Sequence, residues 1–457
     1  MKILIVDMTH GGTIIASEFL KIPNIEVYAW DIYSTMEYKT KIKLENKGLK
    51  FIEKEYVDKL ISEKNIYTKP DLLLIAPIHC KLEYKTHITH HQAVGFLLKN
   101  KINTPIIEVT GVKGKTSVVW ILKEIFKDLN PLILSSLGVE VIENNKWKLL
   151  KKNISITPAS IIEAWNISKE YEIGICIFET SLGGTGLADV GIITNIAENY
   201  SIANNSTVAS YAKMQIFQSK RVACDLDSFN RYYSQFHEKT NTFDNGKIKT
   251  KNPANITATQ IRLGFDKTNI KIDITNFKTL TDKIINEHME ISTFAPAPIH
   301  INNILAAISA SLILETPLEK IKQGLNNFKG VKGRTSTTEY NGIRIIEEIN
   351  PGLNVTAVKK ALSMTKDMKD LYVIFGGKYG VTCEEIDEKS VSKVLDKIEN
   401  NITLILTDEL GAEVKKNLNR NYIYLNDLNK AITYASKNTC SNILIIYRSN
   451  YSDIKKR

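Results

Sequence analysis

A chain of 457 residues, with 43% hydrophobic and 24% charged side chains, is too long for one ordinary core and divides naturally into about three globular domains. No uninterrupted apolar stretch reaches the ~20 residues that span a bilayer, and MKILIVDMTHGG becomes acidic and turn-rich too early for a secretory signal, so the expected setting is the cytoplasm, without membrane insertion. Cys80, Cys176, Cys224, Cys383 and Cys440 lack paired metal-ligand spacing, which argues against a disulfide scaffold or zinc knuckle, while a formal charge of +10 spread along the chain favours small polyanionic partners over nucleic acid.

The segment 1–98 predicts a small α/β unit. KILIVD is a short buried strand, Gly11–Gly12 turns the chain, and TIIASEFLK suggests a helix. IEVYAWD and DLLLIAPIH supply further strands, and THITHHQAVGFLLK reads as a helix with Thr89 as its cap. Over 99–328, TPIIEVT, IGICIFET and VGIITNI alternate with helical segments, as in a mostly parallel sheet covered by helices, and 259–280 suggests an antiparallel edge. NNILAAISASLIL is a buried helix. The segment 329–457 repeats the rhythm with strands IRIIEEI, LYVIFGG, ITLILTD and NILIIYR and helices NVTAVKKALSM and KAITYASKN.

EVTGVKGKTS at 108–117 carries the most chemistry. Gly111, Gly114, Lys115 and Thr116 fall between the apolar run Ile106–Ile107 and the helix SVVWILKEIF. Backbone amides and a helix N-terminus at such a junction hold phosphate oxygens, an ammonium offsets their charge, and the threonine hydroxyl suits magnesium. The spacing is tighter than the ordinary fingerprint, which has a glycine where this chain has Val109; the bland alternative is a glycine-containing turn. Glu179 ends an apolar strand in FETSLGGTG, either as a magnesium or water ligand or as a solvated residue at a turn, and Gly183, Gly184 and Gly186 would let the backbone pass close to a ligand.

Asn195 ends the next strand and either fixes a loop or orients a phosphate-bound water. Lys213, on SYAKMQIFQSK, is either solvated or, near magnesium, a site for carbamate formation. Asn303 contacts adenine or packs a turn; Arg334 bridges phosphates or forms a structural ion pair; Glu347 and Glu348 touch ribose or are solvated. His10, His79, His87, His90 and His91 cluster in the N-terminal segment, and a helix over 87–91 would put His87, His90 and His91 on one face. Imidazoles there bind metal, orient a carboxylated substrate or move protons, or they cap and pack.

In order, TGVKGKTS, ITP at 156–158, ETS at 179–181, TNI at 194–196, YAK at 211–213, NILAA at 303–307 and KGR at 332–334 resemble the Mur ligase family over nearly the whole chain. The resemblance implies three domains: an N-terminal α/β substrate domain (1–98), a central P-loop ATPase domain (99–328) and a mobile Rossmann-like C-terminal domain (329–457). It implies ATP and Mg2+ as cofactors. Gly111, Val112, Lys113, Gly114, Lys115, Thr116 and Ser117 would hold phosphates, Thr116 and Glu179 magnesium, and Lys213 a carbamate. Asn303 would meet adenine, Arg334 the nucleotide on closure, and Glu347 approximates a ribose contact. The family's aspartate–histidine pair is replaced by Asn199–Tyr200, and its acidic, histidine-containing entry to the last domain is shortened to EEINPG.

DMTHGG, AWDIY, APIHC and THHQAV depart from a UDP-sugar-binding start. They are similar to a branch of the family in methanogenic archaea, which implies ATP activation of a propionate on an anionic nickel tetrapyrrole and carbocyclic ring closure. His10, His79, His87, His90 and His91 would then face the substrate, in a monomer or homodimer. An amide-forming ligase of pseudomurein type and a nucleotide-regulated binding protein are the alternatives.

Overall fold

The computed structural model describes residues 1–62, 72–152, 154–248, 253–264, 267–331, 335–350, 352–364, 368, 370–379, 386–438 and 441–449. The three apolar runs near the N-terminus become β1 (Lys2–Val6), β2 (Glu26–Trp30) and β4 (Leu72–Ala76), and two unexpected short strands join them, β3 (Lys50–Phe51) and β5 (Ile88–Thr89), the latter within the stretch read as helix. They form a parallel sheet in the order β3-β2-β1-β4-β5. Strand order reverses between β1 and β4, and in a doubly wound sheet the crevice beyond the strand ends at that point is where ligands bind.

The central strands are β6 (Ile106–Thr110), β7 (Pro131–Ser135), β8 (Gly138–Glu143), β9 (Lys146–Lys151), β10 (Ile175–Glu179), β11 (Val190–Ile193), a hairpin of β12 (Ser201–Ile202) and β13 (Thr207–Val208), β14 (Arg221–Asp225), β15 (Thr240–Asp244), β16 (Ile256–Arg262), β17 (Thr268–Lys278) and β18 (Ile284–Thr293). Apart from the hairpin they form one sheet, β18-β17-β16-β15-β14-β11-β6-β10-β7-β8-β9. The stretch from β16 to β7 is parallel, and β8 and β9 add antiparallel strands. β6, β10, β11 and β14 are buried along their whole length, which is why they read as unbroken apolar runs. β17 instead alternates buried and exposed residues, as an edge region does.

The last sheet contains β19 (Thr335–Tyr340), β20 (Ile343–Ile349), β21 (Leu371–Gly377), β22 (Thr403–Thr407), β23 (Ile423–Leu425) and β24 (Asn442–Arg448), in the order β19-β20-β24-β21-β22-β23. It is parallel except for the β19–β20 pair. The chain forms two compact units: Met1–Gln260 with Lys271–Glu290 and Ile301–Leu325, and Ile261–Ile270 with Ile291–His300 and Asn326–Arg457.

Within the first unit a continuous apolar cluster joins Ile3 and Ile5 of β1, Val94 and Leu97 of the helix His90–Leu98, and Ile106, Leu132 and Phe178 of the central sheet. That helix begins at His90. Thr89 closes a capping box, its hydroxyl accepting from the Gln92 amide while the Gln92 side chain takes the Thr89 amide. The expected common helical face therefore loses His87, which precedes β5 and accepts a hydrogen bond from the Leu74 amide at its Nδ1, 2.9 Å away.

Gly95 lies where this helix crosses the central unit's chain, and a Cβ there would sit 2.2 Å from the Thr185 carbonyl oxygen. The obstacle is backbone, which cannot swing aside. Gly95→Ala should lower unfolding free energy by about 1–3 kcal/mol. Equilibrium urea denaturation measures this, and an unchanged midpoint and slope would show that the crossing is not tightly packed.

Candidate active site

β6 delivers the chain into a tight loop whose shape is set by two glycines. Gly111 has φ +141°, and a Cβ on it would lie 2.0 Å from Thr194 Oγ1; Gly114 has φ +89°, and its Cβ would lie 2.2 Å from Asn303 Oδ1. The loop is tied to the end of β11. Thr194 Oγ1 donates to the Lys113 carbonyl at 2.6 Å, Asn195 Nδ2 donates to the same carbonyl at 2.9 Å, and the Val112 amide donates to the Asn195 carbonyl at 2.9 Å. Asn195 thus fixes the loop. Lys115 folds its ammonium back onto the Gly111 and Val112 carbonyls, 3.2 and 3.5 Å away. The Val112 and Lys113 amides are both turned to Asn195, which leaves the helix start at Gly114–Ser117 as the part of the motif not engaged by it.

Thr116, the second residue of the helix Lys115–Ile125, donates to both carboxylate oxygens of Glu179, at 3.0 and 2.9 Å. The Ser136 amide also donates to Glu179, at 2.9 Å, and the Ser136 hydroxyl lies 3.1 Å from Thr116 Oγ1. β6 and β10 are neighbours in register, so the end of one strand brings the loop and the end of the other brings the carboxylate. The donor set is hard oxygen, the kind magnesium takes. Beneath it Glu108 is fully buried in β6, with its carboxyl pushed up to about 7 by burial against hydrogen bonds from the Thr185 amide and hydroxyl.

The glycines after Glu179 serve protein packing. A Cβ on Gly184 would meet Glu108 Oε2 at 2.8 Å and Ile216 Cδ1 at 2.6 Å, and one on Gly183 would meet Gln215 Nε2 at 2.6 Å. They admit neighbouring side chains, in place of the expected close approach to a ligand.

Lys213 ends the helix Ala209–Lys213 and is buried, not solvated. Burial first, and the nearby Lys115 ammonium second, push its pKa down to about 7. Asn199, one of the two residues replacing the expected aspartate–histidine pair, accepts from the Ser210 amide at 2.8 Å and so holds the first turn of this helix. Tyr200 is partly exposed.

A cavity of about 270 Å³ is lined by His10, His79, His90, His91, Thr157, Pro158, Ser181 and Leu182, with Pro77 and Ile78. It lies beyond the ends of β1 and β4 and reaches the ITP and ETS segments. His90 Nε2 bonds the Val6 carbonyl at 2.9 Å and His91 Nε2 the Ser181 carbonyl at 2.8 Å. Burial lowers both imidazoles to about 4, so they are neutral near pH 7. A charge on Lys213 lowers His91 further. His87 is absent from the lining.

A family model for the C-terminal domain of coenzyme F430 synthetase matches residues 337–450. The chain is 32% identical over 439 residues to the coenzyme F(430) synthetase of Methanocaldococcus jannaschii, covering 93% of this chain and 95% of the relative. It is 30% identical over 429 residues to that of Methanosarcina acetivorans, covering 87% of each. The chain belongs to the coenzyme F430 synthetase family. The fold is that of the Mur ligases: the MurF structure from Acinetobacter baumannii aligns with TM-score 0.59 at 15% identity, covering 84% of this chain and 83% of that one.

In this member of the F430 synthetase family, Lys115, Thr116, Glu179, Lys213 and Asn303 all lie in the first unit. Glu347 and Glu348 lie on β20 in the second, Glu347 buried and Glu348 accepting from Thr335 at 2.6 Å. Lys332, Gly333 and Arg334 lie outside the described residues. Glu108 and Ser136 went unread in the sequence, and Thr194, part of the TNI run, was given no role there. A carboxylate inside the apolar run IIEVT was the available signal for Glu108; Ser136 and Thr194 become visible only once strand neighbours are known.

A lysine whose pKa falls from 10.5 to about 7 on folding opposes folding fully below pH 7, and this penalty fades as pH rises toward 10.5. In buffer stripped of carbon dioxide, Lys213→Met should therefore stabilise the protein at pH 7 by on the order of 3 kcal/mol, with the gain shrinking toward pH 10. Denaturation at several pH values checks this; a gain that does not vary with pH would show that Lys213 is charged in the fold.

Proposed function

We propose that the chain is an ATP-dependent ligase that closes a carbocyclic ring on a nickel tetrapyrrole, converting 15,17(3)-seco-F430-17(3)-acid to coenzyme F430 with release of ADP and phosphate. The observation that carries this reading is the segment 179–182, where Glu179 accepts from Thr116 of the glycine loop while Ser181 and Leu182 line the cavity. A γ-phosphoryl donor and a carboxylate acceptor would meet there. Three domains, 1–98, 99–328 and 329–457, are the arrangement that the family suggests for such a reaction.

The residues suit the nucleotide. Gly111 and Gly114 let the loop close against Thr194 and Asn303, and Thr110 Oγ1, at the end of β6 just before the loop, is buried without a hydrogen-bond partner. Gly114–Ser117 and Lys115 would hold the phosphates, Thr116 and Glu179 a magnesium ion, and Asn303 would stand beside the adenine. Magnesium bound there would neutralise charge on the phosphates during transfer. Lys213, half neutral at pH 7, can add carbon dioxide at its amine and lose a proton, giving a carbamate whose oxygens extend the anionic donor set. Arg334 and Glu347 are proposed as further nucleotide contacts by the resemblance of KGR and EEINPG to the family.

At about 270 Å³ the cavity is below the ~300–1,000 Å³ typical of drug-sized ligands, so it fits a propionate arm. Phosphorylation of that carboxylate gives an acyl phosphate. A macrocycle carbon then attacks its carbonyl, the carbon–oxygen bond to phosphate breaks, and the attacking carbon loses its proton. Neutral His90 and His91, their Nε2–H groups taken by backbone carbonyls, would shape the cavity wall around the arm without drawing it into an ion pair.

Incubation with ATP, magnesium and the nickel seco-acid should remove one water from the macrocycle by mass spectrometry, with one ADP formed per ring and no amine present. A product that forms only with an added amine would assign amide ligation. ATP binding with no substrate-dependent ADP would leave a nucleotide-regulated binding protein. Glu179→Gln should lower turnover roughly 100-fold or more while leaving the fold intact. Activity should rise with pH through about 7, fall in carbon-dioxide-free buffer and return with bicarbonate.

A further inference from the structure

Asp7 directly follows β1 and His79 lies just beyond β4, so the reversal in strand order brings them together although 72 positions separate them. Asp7 holds φ +70°, a left-handed conformation that costs a non-glycine residue energy. It is completely buried. Its Oδ1 accepts from the Thr9 and His10 amides at 3.0 and 3.2 Å, which fixes the carboxylate and turns Oδ2 toward two imidazoles. Oδ2 lies 2.7 Å from His10 Nδ1 and 3.3 Å from His79 Nε2, and one ligand atom from each residue falls within 4.8 Å of the other two. The two rings meet edge-on, 4.9 Å between centroids.

A metal bonded to nitrogen and oxygen at ~2.0–2.2 Å holds neighbouring ligand atoms roughly 3–3.5 Å apart. Small rotations of two partly exposed imidazoles reach that spacing. Among the described residues Asp7 has no lysine or arginine ion-pair partner, and a carboxylate removed from water calls for a cation. An independent observation comes from the same cavity. His90 and His91 are 1% and 3% exposed, and each has Nδ1 buried with no hydrogen-bond partner. Their Nε2 atoms face carbonyl oxygens and so carry the proton, which leaves Nδ1 as a lone-pair acceptor. Two buried acceptors thus stand in the wall of the cavity that His10 and His79 also line.

We propose that Asp7, His10 and His79 bind one divalent transition-metal ion, with its open coordination positions turned toward the cavity that His90 and His91 line. Two imidazoles and one carboxylate form the donor set that leaves such positions open, and imidazole selects first-row transition metals over magnesium and calcium. This site is separate from the magnesium position at Thr116 and Glu179.

The test uses the full-length, tag-free chain, stripped with chelator and titrated with Co2+ in the absence of ATP and tetrapyrrole, so its outcome is independent of the catalytic proposal. Calorimetry should give one saturable site per chain with visible Co2+ absorption bands, undiminished by excess Mg2+. His10→Ala and His79→Ala should each weaken binding at least about 100-fold. His288→Ala, which removes an exposed histidine paired with Asp273 at 2.8 Å, should leave it unchanged. Circular dichroism and denaturation midpoints of both cavity variants verify folding; neither side chain is fully buried, so this control does not depend on the more disruptive Asp7 substitution. Absence of a saturable site, or affinity unaltered in folded His10→Ala and His79→Ala, would overturn the assignment in favour of a hydrogen-bonded triad.

Discussion

The Thr116 hydroxyl, buried against both oxygens of Glu179, is the contact on which the proposed nucleotide site depends. It can form only because β6 and β10 lie side by side in parallel, so that the glycine loop and the carboxylate leave the sheet at the same edge. The Ser136 amide, from the end of β7 on the other side of β10, closes the set. Three strand ends thus converge on one carboxylate. Underneath, Glu108 is held by the Thr185 segment, so the sheet that carries the loop is itself braced by a buried polar contact.

The histidines divide by environment. His87 caps a backbone amide, His90 and His91 are buried and bonded to carbonyls, and His10 and His79 share Asp7. Sequence proximity joined the wrong members: His87 stands beside His90 in the chain but not in the cavity, whereas His79 joins His10 across the sheet. The capping box at Thr89 decides this, because it starts the helix after His87.

Other residues kept their place but changed their reason. Gly183 and Gly184 are required by Gln215, Ile216 and Glu108 packing against them. Asn195 fixes the phosphate loop, one of the two roles its position allowed. Asn199 accepts from the Ser210 amide and so steadies the helix that ends at Lys213. Each of these roles depends on a neighbour from a distant segment, which spacing along a chain does not reveal.

Local sequence determined the α/β class, the principal buried strands, the Thr89 cap and the glycine loop between a strand and a helix. Periodicity, capping chemistry and the conformational range of glycine act within a few residues, so these features are written locally. Tertiary structure alone decided that Glu179 meets Thr116, that Lys213 is buried, and that Asp7 gathers His10 and His79. Strand order sets those meetings. It follows from burying many apolar faces together, a property of the whole chain and not of any segment.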